Sequence, residues 1–269
     1  MKLDFLKMSG AGNDFILLDN LDGDPFEVLS IDMVATLCAR GTWIGADGLL
    51  DIRSDVSHAF RMKYYNSDGK PAEMCGNGAR CAVVYAVMAG LADRDEDFHF
   101  ESDAGVHRAR VTGPEESRVW MTPPEVRFMA ETMSVGKIET AVSFLDTGVP
   151  HAVLVTGGPE DPPFEETARF LRWNRRFGVA GTNVNYLWKQ DGKFFMRTWE
   201  RGVEGETLAC GTGAVACAVC AVKLLGENFP VEITTKSGRT LTVGADEHGT
   251  WLQGEARPVY RGTLHRLPT

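Results

Sequence analysis

The sequence predicts an α+β protein of two pseudo-symmetric domains derived from an internal duplication, each a mixed, mainly antiparallel sheet wrapped around one buried helix. Three observations predict this. Met74-Cys75-Gly76-Asn77-Gly78-Ala79 is echoed 135 residues later by Ala209-Cys210-Gly211-Thr212-Gly213-Ala214. Each hexapeptide opens a run of small apolar residues ending at Gly90 or Gly226, the pattern of a helix buried all round with a glycine stop. The flanking order also repeats. Arg61–Tyr65 and Phe195–Trp199 read as strands entering the two cysteine loops, and Phe100–Gly105 and Ile233–Gly238 read as glycine hairpins leading to alternating strands at 106–111 and 239–243.

The remaining elements follow in chain order. A strand-like start reaches the turn Ser9-Gly10-Ala11-Gly12-Asn13-Asp14, and a strand covers Phe15–Leu18. Ser30 caps a helix predicted over Ile31–Arg40. Gly41–Gly48 reads as a loop, and residues 49–52 and 59–65 as strands. Pro123-Pro124 marks the handover to the second half, where Ala152–Val155 and Val184–Trp188 read as strands and Pro162-Pro163 introduces a short helix over Phe164–Leu171. The absence of alternating βαβ order argues against a Rossmann fold. The predicted halves are 1–118 and 119–256, with a final strand near Val259–His265, within 257–269, returning to the first half.

The 269 residues suffice for two domains, and a hydrophobic share of 43% supports real cores. The net charge of −9 disfavours nucleic-acid or anionic-membrane partners. The nearest basic run, Arg172–Arg176, reads as a solvated helix or loop. Asp4 and Lys7 break any signal-peptide core, no stretch is long enough to span a bilayer, and six cysteines in so large a chain point to free thiols in a reducing cytoplasm.

Cys75 and Cys210 are the chemical centre. A helix N-terminus lowers a thiol's pKa and presents unbonded N–H groups to an anion. Two such stations facing each other would hold a small anionic molecule between two sulfurs. An amino-acid α-hydrogen is barely acidic beside its carboxylate. Inverting that centre needs a base on one face, an acid on the other, and stabilisation of the developing charge; a thiolate and a thiol supply the first two. The backbone N–H groups of Gly76-Asn77 and Gly211-Thr212 are candidates for the third. Cys38, Cys81, Cys217 and Cys220 lie in apolar runs and read as core residues. Cys217-Ala218-Val219-Cys220 sits mid-helix with no second Cys-x-x-Cys and no nearby histidine, which argues against zinc. No lysine stands in a phosphate-binding context, and Gly10-Ala11-Gly12-Asn13 is too weak a pattern for a dinucleotide site. No cofactor and no metal is expected.

Together with these blocks, Ser9-Gly10-Ala11-Gly12-Asn13-Asp14-Phe15, Gly45-Ala46-Asp47-Gly48, Asn66-Ser67-Asp68-Gly69, Gly181-Thr182-Asn183 and Glu200-Arg201-Gly202 resemble the diaminopimelate epimerase family nearly end to end. The cysteine blocks alone would also admit the proline racemase relatives. The resemblance implies cofactor-independent interconversion of LL- and meso-diaminopimelate in lysine and peptidoglycan-precursor synthesis, by two domains flanking the ligand, in a homodimer. It implies that Cys75 and Cys210 are the two bases. It further implies that Asn13, Asn66, Asn183, Glu200 and Arg201 bind ligand, and that His151 and Glu200 bind ligand or tune the cysteines. Three departures stand out. Gly48 replaces a Gln and Val149 an Asn found in some members, and Glu204 lengthens the loop after Arg201. Two alternatives follow: a related racemase for another amino acid, or a non-catalytic amino-acid-binding protein on the same scaffold.

Overall fold

The computed structural model describes residues 2–23, 29–72, 74–266 and 268. The chain divides into two compact units, Met1–Trp120 with Gln253–Thr269, and Met121–Leu252. The first unit runs β1 (Leu3–Gly10), β2 (Asn13–Asn20), α1 (Ile31–Cys38), β3 (Gly48–Arg53), β4 (Arg61–Asn66), β5 (Pro71–Ala72), α2 (Gly76–Met88), β6 (Phe98–Ser102), β7 (Gly105–Gly113) and β8 (Glu116–Trp120). The second runs β9 (Glu125–Val135), β10 (Ile138–Asp146), β11 (Pro150–Val155), α3 (Phe164–Arg172), β12 (Asn183–Gln190), β13 (Lys193–Glu200), β14 (Gly205–Thr207), α4 (Gly211–Leu225), β15 (Val231–Thr234) and β16 (Thr240–Asp246). β17 (Gly249–Glu255) and β18 (Arg257–Leu264) complete the elements among the described residues. The fold is α+β and duplicated.

The repeat reaches further than the cysteine blocks. In the first unit β18 lies antiparallel to β1, β1 to β2 and β3 to β4, while β2–β3 and β4–β6 are parallel. In the second, β9 lies antiparallel to β10, β10 to β11 and β12 to β13, while β11–β12 and β13–β15 are parallel. Each parallel pair brackets a helix: α1, α2, α3 and α4 in turn. The expectation that βαβ order is absent is therefore corrected, since each unit holds two such crossovers. Parallel neighbours need a long crossover connection, commonly helical, and the intervening hairpins hid that order in the sequence.

α2 and α4 are the centres of the units. α2 packs against β1–β4, β7, β8 and β18, and α4 against β10–β13, β15 and β16. Every residue of α2 from Gly76 to Ala86 is buried. Small side chains let strands approach from all sides, and that burial outweighs the weak helix propensity of Val and Gly. α1 begins as predicted, with Ser30 Oγ accepting from Met33 N at 3.1 Å. It stops at Cys38 rather than Arg40, because the loop turns back and Gly45 N and Ala46 N donate to the carbonyls of Leu37 and Cys38. Gly48, expected in the loop, is the first residue of β3.

Arg172 alone departs from the solvated reading of residues 172–176, where Trp173, Arg175 and Arg176 are exposed. It ends α3 with its side chain 4% exposed; its Nε and Nη2 donate to Glu204 Oε1 (3.1 and 2.7 Å) and its Nη1 to Ala180 O (2.8 Å). Glu204 thus neutralises a buried cation.

Candidate active site

In the first unit, Cys75 is the N-cap of α2 and partly buried. β2 brings Asn13 to it. Cys75 Sγ lies 3.9 Å from Asn13 Oδ1, which also accepts from Asn77 Nδ2 at 3.2 Å. Asn13 Nδ2 donates to Asp47 Oδ2 at 2.6 Å, which fixes the amide's orientation. Asp47 in turn bonds Arg40 Nη2 at 2.7 Å, and Arg40 and the buried Lys7 both pair with Asp14. Burial opposes charge on Asp14, but the bonds from Arg40 and Lys7 win and lower its pKa to about 2. Arg80 lies wholly inside the unit, donating to Gly76 O (3.2 Å) and Asn77 Oδ1 (2.8 Å). Burial lowers its pKa to about 10, which leaves it a cation at neutral pH, with Cys81 and Cys75 in its field. Asn66, the last residue of β4, is exposed and lies in register with Gly48.

In the second unit, Cys210 caps α4 and is 7% exposed. Gly213 N donates to its sulfur at 3.4 Å, and Thr212 Oγ1 lies 3.5 Å away. His151 on β11 is fully buried, with Nε2 3.0 Å from Thr212 Oγ1. Burial, and then the charge of Arg201, lower its pKa to about 3; the imidazole is neutral in the folded chain. Asn183 Nδ2 donates to Pro150 O (3.0 Å), and its Oδ1 accepts from Arg201 N (2.8 Å). Its carboxamide therefore holds the loop that carries Arg201. Glu200, half-buried, closes β13 as Asn66 closes β4.

The first N–H groups of α2 and α4 belong to Gly76, Asn77, Gly211 and Thr212, and the helix ladder leaves such groups without an intrahelical carbonyl. Each unit thus places a thiol beside helix-start N–H groups of the kind that can receive a small anion. The other four cysteines are buried core thiols. Burial raises Cys38 to about 11 and Cys220 to about 12, and pushes Cys81 and Cys217 well above the ordinary thiol range. Among the described residues, Asp55, His58 and Glu101 form the cluster with metal-ligand spacing. Its carboxylates are already engaged: Asp55 accepts from the backbone of Ser57 and His58, and Glu101 pairs with Arg61 at 2.8 Å.

The sequence reading missed Asn185, on β12. Its Nδ2 reaches His151 Nδ1 (2.9 Å) and Ala152 O (3.3 Å), and Thr198 Oγ1 donates to its Oδ1 (2.9 Å). The available signal was strand period. Asn185 follows Asn183 by two residues and shares its face. Gly48, by contrast, has no room for a larger residue. A Cβ there would lie 2.7 Å from both Tyr64 Cε2 and Tyr65 O, so any distal contact made elsewhere by a Gln has no counterpart at this position.

A family model for diaminopimelate epimerase matches residues 5–127 and 143–259. The chain is 41% identical over 262 residues to the diaminopimelate epimerase of Chlorobaculum tepidum, covering 96% of this chain and 99% of that protein. It is 38% identical to the one from Aquifex aeolicus, covering 97% and 98%. Among solved structures, a phenazine biosynthesis protein of the PhzF family from Bacillus anthracis superposes with a TM-score of 0.74 at 13% identity, over 98% of this chain and 99% of that one. A hydroxyproline epimerase from Agrobacterium vitis superposes with a TM-score of 0.71 at 13% identity, over 98% and 92%; these two likenesses concern the fold. With a cysteine at the head of a buried helix in each duplicated half and near-complete coverage by these relatives, the chain belongs to the diaminopimelate epimerase family, a family of isomerases.

Proposed function

We propose that the protein interconverts LL- and meso-diaminopimelate without a cofactor, with Cys75 and Cys210 as the two bases. The observation that carries this reading is the duplicated station: in each unit a cysteine caps a buried helix whose first two residues are Gly76-Asn77 or Gly211-Thr212. One sulfur, as thiolate, takes the α-hydrogen from one face and becomes a thiol. The other, as thiol, delivers a proton to the opposite face and becomes a thiolate. The reverse direction exchanges the roles. Positioned proton transfer supplies about 10²–10⁴-fold; the helix N-termini stabilise the charge that develops on the carboxylate oxygens.

Asn13, Asn66, Asn183, Glu200 and Arg201 are proposed to hold the substrate's charged groups, Arg201 pairing with a carboxylate. His151 is proposed to tune the chemistry rather than carry charge, since burial keeps it neutral. Among the described residues no helix is long and apolar enough to cross a membrane. A cytoplasmic homodimer acting in lysine and peptidoglycan-precursor synthesis fits this reading.

The test follows α-hydrogen exchange in D₂O with LL-diaminopimelate and with simpler amino acids. Exchange with diaminopimelate alone is expected, and Cys75→Ser and Cys210→Ser should each lower the rate by about 10²-fold or more. Exchange with other amino acids would point to a related racemase. Binding without exchange would identify a non-catalytic binding protein.

A further inference from the structure

We propose that Asn185 is a positioning residue for Cys210: through His151 and Thr212 it holds a hydroxyl proton on the sulfur and stabilises the thiolate. The proposal deepens the two-base reading and rests on it for its catalytic meaning.

The direction of each hydrogen bond can be derived from its fixed ends. Ala152 O is a carbonyl and only accepts, so the Asn185 atom 3.3 Å from it is the amide nitrogen. Thr198 Oγ1 donates to the other end of the same amide, at 2.9 Å. The nitrogen therefore donates to His151 Nδ1 at 2.9 Å. A neutral imidazole that accepts at Nδ1 carries its proton on Nε2, and burial keeps this imidazole neutral. Nε2–H then donates to Thr212 Oγ1 at 3.0 Å. With that oxygen already accepting, the Thr212 hydroxyl directs its own proton to Cys210 Sγ, 3.5 Å away. Gly213 N–H, at 3.4 Å, is a second donor to the same sulfur. Hydrogen bonds donated to a group's charged form favour that form.

The duplicated half shows that this relay is not a by-product of the fold. Strand register sets Phe15 opposite Gly48 in the first unit and His151 opposite Asn183 in the second. Two residues further along each second strand lie Leu50 and Asn185. Both press on the equivalent helix glycine: a Cβ at Gly78 would lie 2.9 Å from Leu50 Cδ2 and 3.6 Å from Phe15 Cε1, and one at Gly213 would lie 2.5 Å from Asn185 Oδ1. The two strand positions that carry the relay behind Cys210, His151 and Asn185, are thus plain hydrocarbon, Phe15 and Leu50, behind Cys75. The converse holds five residues beyond each cysteine, where Arg80 lies behind Cys75 and Val215 behind Cys210. One half sets a buried cation near its sulfur and the other a hydroxyl chain. Among the described residues, the titratable and charged groups that act on the relay include His151, Arg201, whose field falls on His151, and Cys217 on the same helix, whose thiol burial keeps protonated.

The test needs no substrate. Full-length protein is alkylated with iodoacetamide across a pH series, and peptide mass spectrometry resolves Cys75 from Cys210, so that each sulfur yields a midpoint independent of its exposure. Asn185→Leu and Thr212→Val should each raise the Cys210 midpoint by about one pH unit and leave the Cys75 midpoint in place. Thr212→Ser, which keeps the hydroxyl, should retain the wild-type midpoint. An unchanged Cys210 midpoint in folded Thr212→Val, or an equal shift at both sulfurs, overturns the proposal. If Asn185→Leu does not fold, Thr198→Val, which frees one end of the amide, replaces it and should raise the Cys210 midpoint in the same direction; no shift overturns the role of Asn185. Because alkylation reports thiol ionisation and D₂O exchange reports catalysis, failure of this proposal and failure of the two-base reading give different results.

Discussion

His151 shows how one residue's surroundings decide its chemistry. The family resemblance implies that this histidine binds ligand or tunes the cysteines; in the folded chain burial removes its charge. Its pKa falls from 6.5 to about 3 because burial and Arg201 both oppose protonation. Above pH 6.5 the folded and unfolded chains carry the same neutral ring, so it adds no pH dependence there. Between 6.5 and about 3 the unfolded chain binds a proton that the folded chain refuses, so stability falls as the pH is lowered through that window. His151→Gln should flatten this part of the profile, measured as the urea unfolding free energy against pH. A His151→Gln profile as steep as the wild type's would place the acid sensitivity elsewhere. The role of Asn13 was open in the same way: a turn asparagine in sequence, it proves to link Asp47, Asn77 and Cys75.

Between elements, the least legible feature was the clamp at the end of α3. Arg172 and Glu204 are 32 residues apart, each within a stretch that reads as surface. Only the β11–α3–β12 crossover followed by the β12–β13 hairpin brings them together. Glu204→Ala would leave the Arg172 guanidinium, 4% exposed, with Ala180 O as its remaining acceptor in this cluster. Because Glu204 itself is 42% exposed and solvent can replace part of its charge, the expected loss is about 1–3 kcal/mol, read as a lower urea midpoint. Arg172→Met with Glu204→Ala should recover part of it. The elements themselves were more legible: the α2 and α4 starts, the Ser30 cap and the two glycine hairpins are local signals. The parallel β2–β3 and β11–β12 pairs were not, because strand direction depends on where a crossover returns, and neither strand's own residues record that.

At the scale of the whole molecule, chain order and spatial order diverge at β18. This strand follows the entire second unit in sequence yet pairs with β1 from Leu3↔Leu264 to Ser9↔Arg257, with one irregularity between Lys7 and Met8. Phe5 meets Tyr260 edge-on, and Gly262 lies where a Cβ would strike the Phe5 ring at 2.5 Å. β9 stands to β10 as β18 stands to β1, so the duplicated plan is closed in the first unit by the last strand and in the second by the first. Cutting the chain after Ala256 removes the closing strand from the first unit alone. It exposes one edge of β1, whose other edge remains paired with β2, and uncovers Phe5. An unpaired apolar edge is a template for pairing with another chain. The truncated protein should therefore lose stability in the first unit and associate at the freed edge, seen as higher-mass species by size-exclusion chromatography and as faster amide exchange in β1 while β10–β12 keep their protection. Equal loss of protection in both units would show instead that they unfold as one cooperative body, and unchanged protection in β1 would show that its closure does not depend on the returning strand.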